Sequence, residues 1–253
     1  MKLLKIVLLS LLLLTQQAAL SAESLTVAVA ANVKYAFDDL AAAFTADTGI
    51  EIRPVFGSSG KIVSQVKEGA PYDIFLSADM EYPQKLYKDG QAVTVPKAYA
   101  YGRLVIWKLG DKLDISKGLA SLTGAEFKKV AIANPRVAPY GTEALKAMDK
   151  LGVKAAIEPK LVFAENIAQV MQYVESGNVD AGITAKSLVT APEAAGKGQW
   201  VDIPADSYTP IAQGAVVLRY GQVNHGDAAR KFYGFLYSQK ARTILEKFHY
   251  GLP

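Results

Sequence analysis

Short apolar runs alternate with amphipathic stretches along most of this chain. Residues 25–31 (LTVAVAA) are apolar except for Thr26, the pattern of a buried strand. Phe37, Leu40, Ala41 and Phe44 then recur at helical spacing within 33–47, and Gly49 follows where a left-handed helix cap belongs. A second strand is predicted over 50–56, with Pro54 assigning it to a sheet edge because proline cannot donate to a ladder. A helix over 61–68 turns Ile62, Val63 and Val66 inward and stops at Gly69, and a third strand covers 73–78 (DIFLSA). This β-α-β-α-β order predicts an open, mainly parallel sheet with helices on both faces.

The middle of the chain repeats the theme. Strands are predicted over 103–108, 130–133, 160–163 and 180–184, and helices over 142–150 and 166–176, each followed by a glycine (Gly152, Gly177). A last strand over 215–219 leads into a long helical tail over 227–248, interrupted near Ser238. No linker rich in Gly, Ser or Pro divides the chain, so it must cross between two lobes on ordered segments. The expected organisation is a two-lobed α/β protein, each lobe an open sheet flanked by helices. Lobe 1 takes 23–102 plus 214–253 and lobe 2 takes 103–213.

The first residues set the compartment. Lys2 and Lys5 precede an apolar run over 6–14, and the small residues Ala18, Ala19, Ser21 and Ala22 follow. This is the order of a cleaved secretory signal peptide over 1–22, and the run is about half of the roughly 20 residues a membrane span needs. The expected location is therefore periplasmic. The chain has no cysteine, so an exported form is held by its core alone, for which roughly 230 remaining residues suffice. Without Lys2 and Lys5 the formal charge of +4 becomes +2, too weak to point to nucleic acid. Two histidines and no cysteine leave no zinc or haem site and no cofactor expectation.

Ligands of open α/β sheets bind beyond the carboxyl ends of the strands, where helices begin. Here those ends present Asn32, the run Gly57-Ser58-Ser59-Gly60-Lys61, Ser77-Ala78-Asp79, the turn from Asn134-Pro135 through Pro139-Tyr140-Gly141, and Glu165-Asn166-Ile167. A helix start exposes unpaired N–H groups and about half a positive charge. Three such starts aimed at one cleft make a donor-rich anion cage, and Gly57 and Gly60 permit close backbone approach. Each serine and asparagine also has a plainer reading as a helix cap, Asn32 and Asn166 included. Glu165 reads as a cleft-rim acid. The run around Lys61 lacks the spacing of a phosphate loop, and neither a Gly-x-Ser-x-Gly elbow nor a histidine beside a nucleophile supports a hydrolase.

Taken in order, LTVAVAAN, PVFGSSGKIVSQVKEGAPYDIFLSAD, NPRVAPYGTEALK and FAENIAQVMQYVESGNVDAGI resemble the periplasmic molybdate-binding proteins of ABC importers over essentially the whole mature chain. The resemblance implies a molybdate or tungstate ligand bound as the oxyanion, with no direct protein–metal bond. It maps the ligand donors onto the Asn32 side-chain amide, Ser59 with Ser58 beside it, and the backbone amides of Tyr140 and Ile167. Where many relatives place a donor tyrosine, this chain has Ala185, and the Tyr140 hydroxyl is the candidate replacement. The mapped positions offer no acceptor for a protonated anion such as hydrogen phosphate. The resemblance further implies a monomer that delivers its ligand to a membrane permease, with no chemical step. The alternatives are the same fold carrying sulfate, phosphate or an organic anion, a periplasmic enzyme, and a sensor domain without transport.

Overall fold

The computed structural model describes residues 23–253, so the signal-peptide expectation for 1–22 lies outside the described residues. The first lobe begins with β1 (Ser24–Ala30), α1 (Lys34–Thr48), β2 (Glu51–Gly57), α2 (Ser59–Lys67), β3 (Ile74–Leu76), α3 (Glu81–Lys88) and β4 (Lys97–Gly102). The chain then crosses into β5 (Leu104–Lys108), β6 (Val130–Ala133), α4 (Pro139–Lys150), α5 (Lys154–Ile157), β7 (Leu161–Ala164), α6 (Ile167–Glu175), β8 (Ala181–Ala185), α7 (Lys186–Val189) and β9 (Gln199–Asp202). It returns through β10 (Ile211–Val217), α8 (Arg219–Phe235) and α9 (Gln239–Lys247).

Two five-stranded sheets result, in the orders β2-β1-β3-β10-β4 and β7-β6-β8-β5-β9. Both are mixed rather than mainly parallel. The βαβ units pair in parallel, whereas β10 runs antiparallel to β3 and β4, and β5 runs antiparallel to β8 and β9. The antiparallel members are those next to the two crossings, where the chain enters each sheet from the other lobe. The return strand starts earlier than the expected 215, so 211–213 belong to the first sheet.

The alternation in β1 feeds two layers. Leu25, Val27 and Val29 pack with Phe37, Phe44 and Phe232, while Ala28 faces Ile62, Val66 and Phe75 on the other side. Burial on both faces is why the run is apolar apart from the half-buried Thr26. Edge-to-face contacts of Phe232 with Phe37 and Phe44 (centroids 6.0 and 5.0 Å apart) fasten the tail helix α8 onto the first lobe. Gly49 ends α1 at φ 74°, and Ser238 accepts from the Ala241 amide at 3.2 Å to start α9. Among the described residues, no helix is long and apolar enough to cross a membrane.

Candidate anion cavity between the lobes

The strand ends converge as the βαβ geometry requires. After β1, a single 3-10 turn over Ala31–Val33 turns Asn32 inward to 1% exposure. After β2, Gly57 and Ser58 lead directly into α2, whose first residue is Ser59. Across the cleft, α4 begins at Pro139-Tyr140 and α6 at Ile167. Asn32, Ser58, Ser59, Tyr140 and Ile167 all line one narrow cavity with a water-accessible volume of about 10 Å³, together with Ala30, Ala31, Ala78, Ala138 and Pro139. That volume is below the roughly 300–1,000 Å³ of organic-ligand pockets. Space for about one water excludes an organic ligand, and a small inorganic ion fits only if the walls part slightly. The N–H groups at the starts of α2, α4 and α6 lack intrahelical acceptors.

The side chains separate capping from other work. Ser58 occupies the N-cap position of α2 but makes no capping bond, and its buried Oγ has no partner. Ser59 Oγ accepts from the Ala78 amide at 3.0 Å, which leaves the Ser59 hydroxyl hydrogen free to donate. Asn166 does cap its helix, accepting from Gln169 N at 3.1 Å. Asn32 departs from expectation in two ways. It caps nothing, and its Nδ2 is already spent, donating to Gln213 Oε1 at 2.8 Å and to the Tyr250 hydroxyl at 3.0 Å. The atom left over is Oδ1, buried and unpartnered, so this orientation offers an acceptor where a donor was expected. An unsatisfied buried polar atom costs about 1–3 kcal/mol, and the cavity wall carries two.

Tyr140 is 1% exposed, and its hydroxyl accepts from Gln213 Nε2 at 3.4 Å. The hydroxyl oxygen is thus engaged with the first lobe, while its hydrogen remains available to donate in place of the donor missing at Ala185. Gly102 makes this possible, since a methyl group there would overlap the Tyr140 hydroxyl. Burial pushes Tyr250 up to about 12 and raises Tyr99 and Tyr140 well above the ordinary tyrosine value, so all three remain protonated hydroxyls. Gln213, Tyr99, Tyr250 and Ser187 escaped the sequence reading. The available signal was a glutamine within the apolar run of β10, immediately before Gly214.

No charged residue lines the cavity. At its rim Lys61 Nζ pairs with Glu165 Oε1 across the cleft at 2.6 Å, each side chain about half-exposed. The Gly60 amide donates to the Val137 carbonyl at 2.9 Å, and Ser187 Oγ donates to the Asn32 carbonyl at 3.0 Å. The lobes therefore meet directly around the cavity. A larger, open groove of about 460 Å³ adjoins it, lined by Asp79, Glu81 and Glu143 with Arg136 and Lys146. Burial is the largest cause that raises Asp79 to about 6, opposed by bonds from Tyr82 N and the Ser77 hydroxyl. Three carboxylates make that groove a poor place for an anion, and the uncharged, donor-lined cavity a better one. Among the described residues, no group of three or more His, Cys, Asp or Glu side chains is placed to hold a metal ion.

Comparison with known proteins gives one consistent set. The family model for bacterial extracellular solute-binding proteins matches residues 25–251. The molybdate-binding protein ModA of Azotobacter vinelandii is 38% identical over 235 residues, covering 92% of each chain. ModA of Rhodobacter capsulatus is 40% identical over 225 residues, covering 88% of this chain and 86% of its own. Among solved structures, the Azotobacter vinelandii periplasmic molybdate-binding protein superposes with a TM-score of 0.82 at 32% identity, covering 90% of this chain and 99% of that one.

Proposed function

The chain belongs to the family of bacterial extracellular solute-binding proteins, and we propose that within it this protein captures molybdate outside the cytoplasm and delivers it to the permease of an ABC importer. The relatives at 38% and 40% identity, both named for molybdate binding, support this choice of ligand. Membership of the family makes the protein a binding protein and not an enzyme. We assign it to the periplasm, acting as a monomer.

The observation that carries the reading is a set of buried polar groups, none of them charged, in an otherwise apolar wall. Ser58 Oγ lies buried without a partner, the Ser59 hydroxyl has a hydrogen to give, and three helix starts converge on the same small space. Aligned N–H groups and helix dipoles stabilise an oxyanion, and each bond to a charged group contributes about 1.5–3 kcal/mol. Asn32, Ser58, Ser59 and the amides of Tyr140 and Ile167 are the proposed ligand contacts.

Tungstate has nearly the size and the same charge as molybdate, so it is bound equally well. Sulfate has shorter bonds, and a rigid cage leaves its oxygens short of several donors. Titration calorimetry of ligand-stripped mature protein with the four oxyanions tests the assignment. Molybdate and tungstate bind tightly and alike, and sulfate binds at least a hundredfold more weakly, a gap of about 2.8 kcal/mol. Equal affinity for sulfate overturns it. Phosphate is the discriminating fourth ion, because the unpartnered Asn32 Oδ1 is an acceptor for its proton.

A further inference from the structure

A dianion in this cavity would meet the unpartnered Asn32 Oδ1, which is the wrong polarity. The neighbouring groups hold the means of reversing it. Gln213 is fully buried, brought there by an irregularity in β10 where its pairing with β4 slips between Gln213 and Gly214; such bulges re-aim a side chain. Its Oε1 receives Asn32 Nδ2 at 2.8 Å and the Tyr99 hydroxyl at 3.1 Å, and its Nε2 donates to the Tyr140 hydroxyl at 3.4 Å.

Every one of these bonds survives if both amides turn by half a rotation. Gln213 Nε2 then donates to Asn32 Oδ1 and to the Tyr99 oxygen, and the Tyr140 hydroxyl donates to Gln213 Oε1. The hydroxyls of Tyr99 and Tyr140 act equally well as donor or acceptor. The Tyr250 hydroxyl, which accepts from Asn32 Nδ2 and donates to the Asn32 backbone carbonyl at 2.8 Å, gives up that second bond to donate to Asn32 Oδ1, while Ser187 alone keeps the backbone carbonyl satisfied. The turn gives the orphaned Oδ1 its partners and directs an N–H pair at the cavity. Neither amide can turn alone without setting two oxygens or two N–H groups against each other.

We propose that Gln213 is a specificity-determining positioning residue: its reversible amide sets whether Asn32 presents a donor or an acceptor to the bound ion. A fully deprotonated oxyanion selects the turned pair, and an oxyanion that carries a proton selects the orientation seen here. The inference rests on the oxyanion reading of the cavity and adds the selection of its protonation state.

A double-mutant cycle read by calorimetry tests it, with molybdate and inorganic phosphate as probes on the mature protein. Gln213→Met is expected to weaken molybdate at least tenfold and phosphate less, because only molybdate needs the turned pair; a merely structural role would weaken both alike. In the Asn32→Ala background, Gln213→Met should change molybdate affinity less than threefold, since the residue through which it acts is gone. Wild-type affinity in Gln213→Met, an equal loss for both ions, or additive effects overturn the proposal. Should the variants fail to fold, ¹⁵N side-chain spectra of the wild type decide: molybdate must shift the Asn32 and Gln213 amide signals together, and an unmoved Gln213 signal overturns the inference. If the wild type does not bind molybdate at all, the functional reading has failed and this one with it, a result distinct from all the others.

Discussion

The backbone amide of Gly60 in one lobe donates to the carbonyl of Val137 in the other at 2.9 Å. No side chain intervenes. A β-carbon at Gly60 would lie 2.6 Å from the Tyr82 hydroxyl and 2.9 Å from Val137 Cα, so only glycine lets the first turn of α2 touch the opposite lobe. Gly60→Ala is therefore expected to hold the lobes slightly apart and weaken molybdate at least tenfold, about 1.4 kcal/mol. The ligand-free melting temperature should fall only slightly, because Tyr82, in the same lobe, can move the far end of its side chain aside, whereas the Val137 backbone clash exists only when the lobes meet. Calorimetry together with small-angle scattering checks both halves, and unchanged affinity would refute the dependence on this contact.

Ser58 and Ser59 separate cleanly by what they already bond. Ser58 Oγ has no partner, so Ser58→Ala should lose about 1.5–3 kcal/mol of ion binding while leaving the ligand-free protein as stable as before, or more so. Ser59 Oγ holds the Ala78 amide, so Ser59→Ala should lose a similar amount of binding and also about 1–3 kcal/mol of stability through the orphaned N–H. Thermal melts of both variants with and without molybdate give the comparison. A drop in ligand-free stability confined to Ser58→Ala would restore the capping role for Ser58.

Much of this site was legible because its signals are local. Pro54 marked β2 as an edge, and β2 does end its sheet; Gly49 and Ser238 marked helix ends that the dihedrals and caps bear out. The five residues expected at strand ends meet at one cavity because βαβ units place all such ends on one side. The partner of Asn32 was not legible. Asparagine before a helix reads as a cap, whereas its amide here bonds Gln213, 181 positions away, and no local pattern encodes that distance. The same holds for β4 and β9, whose pairing with β10 and β5 depends on where the crossings deliver the chain. The mixed sheets follow from those crossings too.

Asp79 gives the protein a pH signature. Its carboxyl is raised to about 6 chiefly by burial, against about 3.9 in an unfolded chain. The folded state thus binds the proton more tightly, so the Asp79 contribution is most favourable below pH 4 and is lost as pH rises through 6. The change amounts to about 3 kcal/mol at most, and the nearby Glu81 and Glu143 act in the same direction. Asp79→Asn keeps an acceptor for the Tyr82 amide and carries no charge. Denaturation followed from pH 4 to 7 should show the variant gaining on wild type across that interval, and parallel curves would disprove the assignment.

The Lys61–Glu165 pair tests how the ion's charge is met. Both partners are about half-exposed at 2.6 Å, the setting in which an ion pair contributes about 0–1 kcal/mol and is screened by salt over about 8–10 Å. Because it joins the lobes only when they meet, its loss should act on release: Lys61→Met is expected to speed molybdate dissociation by no more than about fivefold, the kinetic equivalent of roughly 1 kcal/mol. The wild type should approach the variant's rate as salt is raised. A cation that touched the anion directly would behave otherwise, since removing one partner of a buried charged contact costs about 3–5 kcal/mol. A hundredfold faster release from Lys61→Met, insensitive to salt, would show that a side-chain charge and not the helix dipoles holds the oxyanion. Stopped-flow measurement at low and high ionic strength separates the two.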